Sequence, residues 1–128
     1  MSAMSNYLEN KFLDHILGTT AYTMPTTVYV GLATATFGEG NTGTELTGSG
    51  YTRKSATFNA AASGTTDNSA AIEFPAATAS WGDVSHFGIF DASTGGNLLI
   101  HGAFSSTKTI AQGDILKINT GDLDVSAD

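Results

Sequence analysis

Between Asn6 and Leu17 the apolar residues Leu8, Phe12, Leu13, Ile16 and Leu17 recur three and four positions apart, the spacing that lines one face of an α-helix. The pattern predicts a single N-terminal amphipathic helix over residues 6–17. Ser5 or Asn6 can cap its start, with Glu9 three residues after Asn6 in a box-like arrangement, and Gly18 can end it in a left-handed conformation. The stripe is expected to pack on the rest of the chain. Contact of Leu8, Phe12 and Ile16 with a neighbouring subunit is the alternative use of the same face.

Beyond Pro25 the period changes from helical to twofold. Short β-type runs recur at roughly ten-residue spacing, separated by Gly, Asn, Asp and Ser clusters. They cover residues 27–35, 51–59, 69–74, 84–90, 97–104, 108–110, 115–119 and 122–126. Alternation points Val28, Val30, Leu32, Ile72, Phe74, Leu116, Ile118, Leu123 and Val125 inward. The pattern predicts a mainly β fold, an antiparallel β-sandwich or small barrel of about 7–8 strands with one N-terminal helix. Residues 1–128 form one domain, with the helix at 6–17 and the β part at 26–126. Two polar stretches, Phe37 to Gly50 and Ala60 to Asn68, are expected as exposed, mobile loops, the first with a candidate role in partner contact.

Val84 to Phe104 reads as a hairpin, two β-type runs joined across Asp91 to Gly96, where paired glycines supply positive φ. Closing the loop with Phe90 opposite Asn97 sets Ile89 against Leu98, Phe87 against Ile100 and His86 against His101. One face is then wholly apolar. The other carries His86, Gly88, Phe90, Leu99 and His101, too apolar for open water and too polar for a sealed core. Two uses of that face follow: an interface between subunits centred on His86, Phe90, Leu99 and His101, or cover by the helix or a loop of the same chain. Two histidines without a third ligand make an incomplete metal site, so no metal is expected.

Composition narrows the function. Five Lys and Arg against twelve Asp and Glu give a net charge of −7, the wrong sign for binding phosphates or anionic lipid. Neither nucleic acid nor membrane insertion is expected, the longest apolar runs falling far below the ~20 residues a span needs. There is no basic and apolar leader pattern at the start, and no cysteine, so the fold stands on packing alone. Three histidines, with no nucleophile-elbow sequence, phosphate loop, HExxH or EF-hand spacing, supply no catalytic pattern. Most acids sit in turns such as Gly113-Asp114 and Gly121-Asp122. Trp81 follows an Ala-rich run and reads as a core ring, with a sugar-stacking role as the alternative. No enzyme and no cofactor are expected.

Several segments together carry a resemblance: YLENKFLDHILG at the start, TTVYVGLATA, the GTEL loop, GYTRKSATF, FPAATASWGDVSHFGIFDASTGGNLLIHGAF and the closing GDLDV. In order and content they resemble a family of small tailed-phage proteins, commonly labelled phage tail fibre or minor structural proteins. The resemblance runs over almost the whole chain. It implies a non-enzymatic virion protein, assembled in the bacterial host cytoplasm, with no catalytic residues to carry over. Its implied partners are further copies of the chain, other virion proteins and a host surface glycan. The chain lacks the trimeric heptad run and the HxH pairs of some fibres. A capsid decoration protein and a carbohydrate-binding module are the alternatives to a tail-associated fibre or adhesion role.

Overall fold

In the computed structural model, which describes residues 2–127, the elements follow in the order β1 (Ser2–Met4), α1 (Asn6–Ile16), β2 (Val28–Ala33), β3 (Lys54–Ala56), β4 (Thr65–Asp67), β5 (Ile72–Glu73), β6 (Gly82–Phe90), β7 (Leu98–Ile110), β8 (Lys117–Ile118) and β9 (Asp124–Ser126). Five strands form an antiparallel sheet ordered β1-β7-β6-β2-β3, while β4 pairs with β9 and β5 with β8. The fold is mainly β with one helix, and the large sheet stays open, with β1 and β3 as its edges. The alternation explains why: Val30 and Leu32 of β2, and Val84, Phe87 and Ile89 of β6, point to one side. There they bury against Ile72, Phe74, Leu116, Ile118, Leu123 and Val125 from the smaller ladders. Every inward position named from the sequence beyond Val28 is buried, and Val28 packs against the rim of that core.

Two strands escape the hydrophobic pattern. β1, in the sequence Ser-Ala-Met, pairs Ser2–Met4 with Ile100–Gly102. β4 lies inside the stretch expected as an exposed loop and pairs with β9. The stretch ends on Asn68, which is fully buried. Its amide donates to Ala70 O (2.8 Å) and Asn119 O (3.0 Å), and its carbonyl accepts from Leu123 N (2.9 Å). All of its bonding groups in contact with the core are engaged, which is how a polar side chain stands inside an apolar cluster.

The hairpin forms, but in a different register. Phe90 faces Leu98, Ile89 faces Ile100, Gly88 faces His101 and His86 faces Ala103, with an irregularity between Ile89 and Phe90. Leu99 is the extra residue of that bulge. One inserted residue turns Leu98 to the side of Phe90 and leaves Ile100 with Ile89. The predicted pairing of His86 with His101 is therefore corrected, and with it the geometry of a bridging metal.

Candidate functional site

The sheet's second face, read as a possible subunit interface, is covered within the chain. Ala33, Phe37, Phe90 and Leu98 form a second small core, and Phe90 and Leu99 are 1 % and 5 % exposed. Neither is available to a neighbour. Phe37 packs edge-on against Phe90 at 5.5 Å. Room for the Phe90 ring comes from two glycines that pair across strands, Gly31 and Gly88. A Cβ on Gly31 would stand 3.0 Å from the ring, and one on Gly88 2.9 Å.

Over this ring lies Arg53, its guanidinium 3.6 Å from the Phe90 centroid. The same group binds both carboxylate oxygens of Glu45 (2.9 and 2.8 Å) and donates to Ala92 O and Gly95 O, each at 2.8 Å. Tyr51 donates to Glu45 Oε2 and accepts from Leu32 N (2.9 Å), an amide of β2 beyond the reach of β3. Burial, then the hydrogen bond to Glu45, holds the Tyr51 phenol far above its ordinary pKa. One arginine thus ties the Gly-rich loop, the strand after it and the hairpin loop into one end of the domain. Trp81 completes the support: 6 % exposed, it donates from Nε1 to Ser49 O (2.8 Å) and meets Tyr51 edge-on. It is a core ring, as read from the Ala-rich approach to it.

The two histidines stand apart. His86 Nδ1 is 2.7 Å from Ser85 Oγ, whereas His101 Nε2 lies 3.3 Å from Glu39 Oε2. Both are partly covered. Neither forms a shared site with the other.

The helix departs most from expectation. Ser5 is its cap, accepting from Leu8 N (3.2 Å), so Glu9 falls one position too late for a capping box with it. Ser5 is buried, and it also donates to Leu98 O from its hydroxyl and to Leu99 O from its amide. Asn6 N donates to Glu39 O (2.9 Å). The bonds of Ser5 fasten the first turn to the start of β7, and that of Asn6 fastens it to the Gly-rich loop at Glu39. No residue of α1 is buried, however. The half-covered positions are Tyr7, Leu8, Glu9 and Lys11, whereas Phe12, Leu13, Ile16 and Leu17 are 48, 53, 61 and 72 % exposed. Leu13 sits roughly 200° around the helix from Lys11. The last two turns therefore hold their apolar side away from the domain, and the expectation that the stripe packs on the β core is corrected. Of the seven residues proposed as an interface, Phe12 and Ile16 are exposed, Leu8, His86 and His101 are partly covered, and Phe90 and Leu99 are buried.

An open antiparallel sheet, a polar cluster engaged in holding loops and an apolar helix face left outside fit the class of structural proteins. The match that gives this class its family spans residues 3–126 and is to the family model described as Podophage GP4 fiber I protein gp80. The chain belongs to this family of podophage fibre proteins. No curated protein matches it.

Proposed function

We propose that the chain is a non-enzymatic, tail-associated fibre subunit that assembles with further copies of itself through the outer face of α1. The observation that carries this reading is the exposure of Phe12, Leu13, Ile16 and Leu17 on a helix anchored by its first turn. Four large apolar side chains on adjacent turns form a patch that soluble domains ordinarily cover. A partner that buries them gains roughly 1.5–3 kcal/mol for each side chain fully covered. A second copy is the partner always present at equal concentration, and repetition of one subunit is the general way such assemblies are built.

Support for a non-enzymatic role comes from the polar groups themselves. Arg53, Glu45 and Tyr51 form a cluster of polar side chains in which Arg53 and Tyr51 are bound to backbone atoms and both hold the Glu45 carboxylate. The fibre description of the family supports the tail over a capsid coat. Copy number in purified particles tests that placement: tens or fewer per virion is expected, and hundreds would reassign the chain to the shell. Sedimentation of variants in the helix face tests the contact.

A further inference from the structure

The N-terminal arm, β1 together with α1, is held to the β body by directional bonds more than by buried apolar area. β1 lies at the edge of the five-stranded sheet, set along Ile100–Gly102 of β7. The buried residues among those described in the arm are Ser2 and Ser5. Ser2 Oγ accepts from Ser126 N (2.9 Å), and Ser5 bonds to Leu98 O and Leu99 O. No large apolar side chain of the arm enters the core. A segment held in this way opens at a fraction of the free energy of global unfolding, leaving the core intact.

The tether behind the arm, Leu17 to Thr27, is equally free of the body. Apart from Tyr22 and Pro25 its residues are exposed. Between Ala21 and Thr26 its backbone makes one hydrogen bond among the described residues, from Tyr22 N to His15 Nδ1 (3.1 Å). That bond returns to α1, so the arm and the start of its tether can move as one piece. Extended, the tether reaches about 36 Å, well beyond the roughly 16 Å length of α1.

Every partner of the arm, from Glu39 and Leu98 to Ser126, is present on each further copy of the chain. Exchange of the arm between copies therefore keeps all of these bonds and changes only the course of the tether, the general low-cost route by which identical subunits interlock. In a free monomer the short tether holds the arm near its own seat at an effective concentration on the order of millimolar, which favours closure. In an assembly a neighbour's seat stands at a comparable concentration. Crossing also lays α1 between two bodies, where Phe12, Leu13, Ile16 and Leu17 leave water.

We infer that assembled copies exchange this arm, β1 of each pairing along β7 of a neighbour. The inference rests on assembly through the outer face of α1 and adds how the copies are joined. The chain has no cysteine, so an engineered pair reports one contact alone. Ala3 and His101 are direct partners across the edge, and residues so placed stand about 4.5–5.5 Å apart at Cα, within disulfide range. The full chain carrying Ala3→Cys with His101→Cys is oxidised after assembly, then examined by sedimentation velocity and on a denaturing gel without reductant. Expected is an oligomer in which most of the chain is bonded into species of two or more chains that reduction returns to one, while each single-cysteine variant stays a single chain. Met4→Cys with Ile100→Cys, the next pair of the ladder, reads the same contact where the first pair disturbs folding. An assembled protein whose cysteines close within one chain overturns the exchange and leaves assembly through α1 standing. A protein that sediments as a monomer with the bond inside the chain overturns both, and single-cysteine variants that link as fully as the pair overturn the exchange.

Discussion

The Arg53 guanidinium lies 3.6 Å from the Phe90 ring centroid and is only 8 % exposed in its side chain. The arginine comes from the GYTRK segment and the ring from the hairpin, so this stack joins two segments far apart in the chain. Because the same guanidinium pairs with Glu45 on two bonds, removing it leaves a carboxylate of low exposure without its counter-charge. Arg53→Ala should cost about 3–5 kcal/mol of stability. Arg53→Lys should recover little, since an ammonium cannot reproduce the fork or the flat stack. Urea unfolding followed by circular dichroism measures both.

The paired glycines beneath Phe90 predict sensitivity to a single methyl group. In Gly88→Ala the new carbon meets Leu98 Cδ1 and Phe90 Cε1, each 2.9 Å away, and both neighbours are packed core side chains. The expected loss is about 1–3 kcal/mol. Gly48, in the exposed loop, has nothing within 4 Å of such a carbon but a φ of +70°. Gly48→Ala should cost backbone strain alone, about 1 kcal/mol.

Tyr51 predicts how the domain fails in alkali. Its phenol is held protonated by burial and by the bond to Glu45, so its folded pKa lies above the unfolded value. A raised pKa in the folded state means the unfolded chain loses its proton first. Stability from this group is therefore complete below about pH 10 and declines as pH rises beyond it. Tyr51→Phe should lower Tm at neutral pH yet flatten its fall between about pH 9 and 11. Thermal melts across that range measure the effect.

Asn68 and Trp81 each serve the interior in a way a binding residue would not. Asn68→Ala strands Leu123 N and two carbonyls inside the chain, with an expected cost of about 2–4 kcal/mol. Trp81→Ala opens a cavity beside Tyr51 and should cost about 3–5 kcal/mol. Both losses should appear in chemical unfolding with no ligand present.

How much of this was legible in the residues differs from place to place. Period and caps located α1 to within one residue, and alternation found the core faces, because both are local patterns. Leu99 was misread for a physical reason: a six-residue hairpin loop leaves room for a bulge, and one extra residue moves Leu98 to the opposite face. Arg53 gave no signal, since its bonds to Glu45, Ala92 and Gly95 depend on loops that only the folded chain brings together. The stripe on α1 was visible, but not its direction. Amphipathic spacing says that a face needs cover, whereas the bonds of Ser5 to the start of β7 and of Asn6 to Glu39 decide which way the helix points.

The central claim is that this outward face of α1 joins copies of the chain, and sedimentation velocity tests it most directly. The paired change Leu13→Asp with Ile16→Asp alters residues 53 and 61 % exposed, so the cost to folding should stay within about 0.5 kcal/mol per site. The account predicts that the unaltered chain sediments as an oligomer at micromolar concentration and that the variant sediments as a monomer with unchanged circular dichroism and Tm. An unaltered chain that remains monomeric, or a variant that keeps the full assembly, would contradict it.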